Sequence, residues 1–373
     1  MTGARVAVVG IHGHGASHVR NVARLAEAGR AELVAVADPQ GADDLPASVQ
    51  VFSGLDELLA ATEVDVVVIC TPIQTHVPLA ELAMRAGADV LLEKPPTASM
   101  AEFEQLSAVV AETGRACQVG FQAQASEATL KLASMVAEGQ LGEIRGISAV
   151  GKWVRKARYF QRARWSGRRR LDGVDVVDGA VTNPLAHAAA AALLLDGSTG
   201  VDDVRSIETE LYRANPIESD DTSTVRITTG RGTPILIAVT LCAIDHLEAS
   251  VIVHGSEGRA VLTYQSDLIG DTKYGRADLL ENLLAHRADP AVPLYVPLAA
   301  TGGFTRVVEA VRTAPDPVAI PPELVRWEGE GLERRPIVLD VENWIDRASD
   351  ELALFSEIGA PWTTWTTQPR EMS

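Results

Sequence analysis

The sequence predicts an α/β protein: an N-terminal Rossmann-type, doubly wound parallel sheet followed by an α+β domain with a large open, mainly antiparallel sheet. Three observations carry this prediction. A short apolar run at 6–9 ends in Gly10-Ile11-His12-Gly13-His14-Gly15, the strand–turn–helix setting in which a dinucleotide pyrophosphate sits. A later run at 90–92 ends in Glu93-Lys94-Pro95-Pro96, which puts a lysine at the carboxyl end of a strand in the same sheet. Beyond Phe121 the alternation of strand and helix gives way to successive strands joined by tight turns.

Each element has a local reason. In the first part, strands are predicted over 6–9, 32–37, 65–70, 90–92 and 116–120, with helices over 16–28, 78–86 and 100–112. Ser99 with Glu102 three residues on forms a capping box that fixes the start of the last helix. Gly87 and Gly114 stand where helices end. The second part opens with a helix over 127–138 and a strand-like run over 144–154. Strands follow over 204–212, 223–229, 234–242, 249–254 and 260–264. Gly230-Arg231-Gly232 and Gly255-Ser256-Glu257-Gly258 read as hairpin turns. A one-sided sheet must bury its apolar face, and packing against another subunit is the expected solution. No internal repeat or low-complexity tract is present, and the only end expected to be disordered is 366–373.

At 373 residues the chain suggests two domains, divided as 1–122 and 123–373. A hydrophobic content of 46% with 22% charged residues allows a full core. The excess of 50 acidic over 33 basic side chains, net −17, argues against nucleic acid and anionic membranes as partners. The Ala- and Leu-rich stretch at 188–195 is far too short to span a bilayer, and the first apolar run does not resemble a signal peptide. Cys70, Cys117 and Cys242 lie in apolar runs without paired spacing, which predicts reduced, buried thiols and a cytoplasmic protein.

Gly10, Gly13 and Gly15 are the expected cofactor cradle. Asp38, about twenty residues beyond the loop, is placed to accept hydrogen bonds from the adenosine ribose. Pro39 and Gln40 follow it with no arginine for a 2′-phosphate, so NAD is favoured over NADP. His12 stands where the dinucleotide fingerprint has its second glycine. Either Gly13 takes over part of that role, or His12 narrows the site. His12, His14 and His18 also invite a metal reading. No carboxylate or cysteine accompanies them in the sequence, so no metal is expected.

The ordered motifs give the chain a resemblance to the glucose–fructose oxidoreductase/inositol dehydrogenase/rhizopine-catabolism (Gfo/Idh/MocA) family. They are the glycine loop with Ser17-His18, Ala37-Asp38, Cys70-Thr71-Pro72 with His76, Ala86-Gly87, Glu93-Lys94-Pro95, Val119-Gly120-Phe121 and Val253-His254-Gly255-Ser256-Glu257-Gly258. The resemblance implies NAD(P)-dependent oxidation or reduction at a carbon of a sugar, cyclitol or related polyol. It also implies a homodimer or homotetramer formed through the C-terminal sheet. It adds His12, His14, Thr71, Pro72, His76, Glu93 and Lys94 to the cofactor residues.

For catalysis the resemblance implies Lys94 together with an Asp-x-Gly-x-His stretch that this chain lacks verbatim. Counting back from Gly197 matches that stretch to Asn183-Pro184-Leu185-Ala186-His187, with Ala190 at a later aspartate position. The chemistry is consistent with this. Oxidising CH–OH needs a base for the hydroxyl proton, which a histidine suits, and a lysine stabilises developing alkoxide charge. Asn183 and His187 share a helix face if Pro184 lies in the first turn. Lys94, Gln122, Arg164, Trp165, Asn183 and His187 are the candidate substrate contacts. The arginine-rich segment 153–173 either attracts an anionic substrate or forms a solvated or intersubunit ion-pair patch. Two rivals accompany the dehydrogenase reading: a sensor that keeps the fold without turnover, and an NAD-recycling glycosidase or epimerase.

Overall fold

The computed structural model describes residues 3–363. The expected disordered end at 366–373 lies outside the described residues. The chain forms two compact units, Met1–Ala125 with Ala277–Thr301, and Ser126–Arg276 with Gly302–Ser373. A single division after residue 122 does not include the return of 277–301 to the first unit.

The first unit is a six-stranded sheet with every neighbour parallel. Its elements run β1 (Ala4–Val9), α1 (Gly15–Glu27), β2 (Ala31–Ala37), β3 (Gln50–Phe52), α2 (Leu55–Ala61) and β4 (Val66–Ile69). They continue with α3 (His76–Arg85), β5 (Asp89–Leu92), α4 (Met100–Thr113) and β6 (Cys117–Val119). The strand order β3-β2-β1-β4-β5-β6 is that of a doubly wound nucleotide-binding fold, so the reversal of direction falls between β1 and β4. All four residues of β4 are fully buried, as expected for a strand covered on both faces. β3 and α2 are short and largely exposed, which left them without a periodic signal. Ser99 caps α4 by accepting from Glu102 N at 3.2 Å, while Glu102 reaches back to Ala98 N at 2.8 Å.

The returning segment closes the amino-terminal edge of this sheet with polar contacts. Its helix Leu279–Ala288 is capped by Asp278. Arg287 reaches Asp65 at 3.0 Å and Asp89 at 2.7 Å, the residues that introduce β4 and β5. Gln118, fully buried in β6, donates to Leu279 O at 2.5 Å and accepts from Val296 N at 3.2 Å. The carboxyl ends of the strands carry the loops of interest.

The second unit begins with α5 (Glu127–Ala137), β7 (Ile144–Lys152), α6 (Ala157–Phe160), β8 (Arg170–Leu171), β9 (Val174–Asp175) and α7 (Ala186–Asp196). Then follow β10 (Val204–Arg213), β11 (Thr222–Thr229), β12 (Pro234–Thr240), β13 (Ser250–Gly255) and β14 (Gly258–Thr263). The last strands are β15 (Leu268–Ile269), β16 (Thr272–Lys273), β17 (Val318–Ala319), β18 (Val325–Glu328) and β19 (Arg335–Val338). Nine of them make an open sheet in the order β16-β15-β14-β13-β7-β12-β11-β10-β17, antiparallel except at β7–β12 and β10–β17.

Alternation sends Ile235, Ile237 and Val239 to one face and Leu236 and Ala238 to the other. α7 and the helix Gly302–Thr313 pack onto strands of this sheet. The expectation that the second face is left for another subunit is corrected here. Val150, Leu236, Ala238 and Ile252 on that face are covered by Val341, Ile345, Leu354, Phe355 and Trp362 of the same chain. Polar ties fix this cover: Phe355 N donates to Thr224 Oγ1 at 3.3 Å, Ser356 N to Glu210 at 3.1 Å, and Arg226 pairs with Glu357 at 2.6 Å. Among the described residues, no helix is long and apolar enough to cross a membrane.

Candidate functional site

The glycine loop is shaped by close backbone approach. Gly10 has φ +78°, and a Cβ there would lie 2.6 Å from Cys70 O. A Cβ on Gly15 would lie 1.8 Å from Gly10 O, so the start of α1 sits directly on the end of β1. Asp38, almost buried, holds the loop through one carboxylate oxygen, accepting from Ile11 N at 3.0 Å. Its other oxygen accepts from Gln40 N at 2.9 Å. The half-exposed His12 ring turns toward Asp38 and Gly41, with Nε2 3.8 Å from Asp38 Oδ1 and 3.2 Å from Gly41 O. The residue in place of the fingerprint glycine thus sends its side chain beside the carboxylate assigned to the ribose. A glycine-formed approach, an acidic residue closing β2 and the start of a helix together fit a dinucleotide.

At the end of β5, Glu93 gathers the polar groups around it. Its Oε1 lies 2.9 Å from His18 Nε2, 3.3 Å from His14 Nε2 and 3.2 Å from Gln122 Nε2. Its Oε2 accepts from the Lys94 backbone N at 3.1 Å. Burial alone would raise the Glu93 carboxyl, but hydrogen bonds from His14 and His18 hold it well below the usual carboxylate range. The same bond raises the His14 imidazole above its ordinary value, against burial and the Lys94 charge. The expectation that no carboxylate accompanies the loop histidines is therefore corrected: Glu93, 75 residues beyond His18, supplies one. Gly120 leaves room beneath it: a Cβ there would approach Glu93 Oε1 to 2.9 Å and displace the carboxylate.

Thr71, Pro72 and His76 form the adjoining turn. Thr71 Oγ1 accepts from Thr75 at 2.6 Å. The buried His76 ring lies between Thr71 O (2.9 Å from Nε2) and Pro95 O (2.9 Å from Nδ1). Burial pushes its pKa down. This ring braces the turn after β4 against the cis Lys94–Pro95 turn, a supporting position beneath the loops. Burial raises the Cys70 thiol, with the Glu93 charge adding to the shift.

In the second unit, α7 begins at Ala186, so Asn183 and Pro184 belong to the preceding turn. The condition for Asn183 and His187 to share a helix face is not met. Asn183 Nδ2 donates to Asp178 Oδ1 at 2.6 Å, and Asp178 Oδ2 accepts from Gly167 N at 2.7 Å. Asp178 is the residue that reading the sequence missed; a lone acid in the short apolar stretch 176–181 was its available signal. Val177, just before it, has φ +44°, a strained value for a β-branched residue. Asp220 ties the same turn, accepting from Ala180 N at 3.1 Å and Ser223 Oγ at 2.8 Å. His187, in the first turn of a helix otherwise rich in alanine, lies 6.2 Å from the Tyr264 ring.

The arginine-rich segment divides into two parts. Arg155 stacks on Trp153 (4.6 Å) and Tyr159 (4.8 Å), and Arg162 stacks on Tyr159 (3.6 Å) and Trp165 (4.6 Å). Arg164 is exposed and paired with Asp172 at 3.1 Å. Further along, Arg169, Arg170 and Arg312 line a cavity of about 620 Å³ whose charges pair internally, Asp175 taking both Arg170 (2.8 Å) and Arg312 (3.1 Å).

Residues 4–121 match the oxidoreductase family with an NAD-binding Rossmann fold, and residues 129–261 match the Gfo/Idh/MocA C-terminal domain. The chain is 30% identical to the inositol 2-dehydrogenase of Rhizobium meliloti over 148 residues, 37% of this chain and 43% of that protein. It is 30% identical to the UDP-N-acetylglucosamine 3-dehydrogenase of Acidithiobacillus ferrooxidans over 251 residues, 65% of this chain and 64% of that one. The chain thus spans less than half the length of the inositol dehydrogenase it matches. The WlbA dehydrogenase of Bordetella pertussis, solved with NADH and UDP-GlcNAcA, has the same fold, with TM-score 0.69 at 22% identity over 83% of this chain and 95% of that one. The chain belongs to the Gfo/Idh/MocA family of oxidoreductases with an NAD-binding Rossmann fold.

Proposed function

We propose that this protein is an NAD-dependent dehydrogenase acting on a sugar-, cyclitol- or sugar-acid-like alcohol or its ketone. The observation that carries the reading is the juxtaposition, within the first unit, of the glycine loop and Glu93, the residue that fixes the Lys94 backbone. The substrate class rests on the named activities of the relatives, an inositol and a UDP-sugar dehydrogenase.

NAD, when bound, supplies the hydride acceptor. Gly10, Gly13 and Gly15 admit its pyrophosphate, and Asp38 accepts from ribose hydroxyls. Lys94 stabilises developing negative charge on the reacting oxygen, and His187 takes the hydroxyl proton. Asn183 is a positioning residue whose amide is held by Asp178. A cytoplasmic location belongs to the same reading and rests on the three free thiols. So does self-association as a homodimer or homotetramer through the C-terminal sheet, outside the part of its face that 341–362 covers.

NADH formation from NAD across a panel of cyclitols, nucleotide sugars and sugar acids tests the proposal. Lys94→Ala should lower kcat by roughly 10²–10⁴-fold and leave NADH affinity unchanged. Equal losses in turnover and affinity would remove Lys94 from the chemistry. Product formation without net NADH would move the cofactor-recycling reaction ahead.

A further inference from the structure

We propose that His14, His18 and Glu93 form a binding site for a zinc-class divalent cation. The three donor atoms all lie within 4.8 Å of one another, and this is the one such group of three among the described residues. Two distances define its shape: Glu93 Oε1 stands 2.9 Å from His18 Nε2 and 3.3 Å from His14 Nε2. Donors about 2 Å from a common tetrahedral ion lie roughly 3.3 Å apart, close to both Glu93 distances.

The positions arise from regular structure. His14 caps α1 in helical conformation, and His18 follows four residues later, which puts both rings on one helix face. Two histidines at this spacing plus a carboxylate from another element is a donor set suited to zinc. Glu93 and His18 are buried and held on the scaffold, whereas the His14 side chain is 63% exposed and leaves an approach for an ion. Two part-buried partners also fix the Glu93 carboxylate: Gln122 donates to Oε1 and the Lys94 N–H to Oε2. The ion would take the place of the protons now shared between the imidazoles and Glu93, tying the start of α1 to the end of β5.

The site faces two further ionisable groups, Lys94 and the half-buried Cys70. Because an imidazole must lose its Nε2 proton to bind, zinc affinity rises with pH. The inference rests on unit-one geometry and shares His14 and Glu93 with the dinucleotide cradle of the dehydrogenase reading, without depending on turnover.

The test is zinc competition against a chromophoric chelator, using the full untagged chain, with thermal unfolding measured in parallel. The wild type should bind one equivalent of zinc and gain thermal stability from it. His14→Ala, at an exposed position, should fold normally, lose at least tenfold in zinc affinity and lose the zinc-dependent stabilisation. Glu93→Gln should weaken zinc similarly. Absence of zinc retention by the wild type, or unchanged affinity in His14→Ala, overturns the proposal. NADH titration of the zinc-free chain reads the dinucleotide site separately, so failure of one proposal does not pass for failure of the other.

Discussion

The two units are each completed by a distant piece of chain, but by opposite means. The first is closed by 277–301 through charges and amides: Arg287 on Asp65 and Asp89, Arg24 and Arg30 on Glu281, and Gln118 between two backbone groups. The second is closed by 341–362 through apolar burial, with Ile345, Phe355 and Trp362 fully enclosed on the sheet. Ion pairs of the first kind gain little per contact where solvent reaches them, whereas enclosed aromatic rings contribute several kcal/mol each. The first unit therefore holds its carboxyl-end loops on a covered parallel sheet with modest polar fastening. The second depends on its cover.

Substitutions can separate these two modes. Trp362→Ala should have the largest effect, about 3–5 kcal/mol of destabilisation seen in chemical denaturation. A loss below 1 kcal/mol would mean the cover is not integral to the second unit. Gly10→Ala comes next, about 2–3 kcal/mol, because it combines a left-handed backbone with a Cβ forced onto Cys70 O. Its signature should be loss of NADH binding, and normal binding would show that the loop yields easily.

Asp38→Ala should cost roughly 1.5–3 kcal/mol of NADH affinity, through loss of charge-assisted hydrogen bonds, and reduce preference over NADPH. The smallest effect is a pH dependence. Hydrogen bonding from Arg5, helped by the Arg287 charge, pushes the Asp65 carboxyl down to about 2. Its contribution is present above the ordinary carboxylate range and is lost as pH falls through about 2. Asp65→Asn should flatten that acid limb in urea titrations, and an unaltered limb would show that the polar closure contributes nothing.

Much of this was legible in the residues. Apolar runs ending in glycine or Glu-Lys-Pro marked β1 and β5, and paired hairpin glycines marked β13 and β14, because each signal is local. What escaped lies in contacts between distant residues. The meeting of His14 and His18 with Glu93 depends on two strands lying in one sheet, which no local spacing records. Asp178 behind Asn183 depends on a strained turn before α7. The cover over the second sheet was taken for a subunit contact because an apolar face in sequence does not say which chain buries it. The exposed β3 and α2 lacked periodicity for the same reason that they contribute little to the core.

Fluorescence titration of the purified chain with NADH and, separately, NADPH tests the central claim most directly. Tight NADH and weak NADPH binding is expected, with His12 accommodated beside Asp38. Binding of neither nucleotide would contradict the dinucleotide cradle and put a fold retained without cofactor in its place.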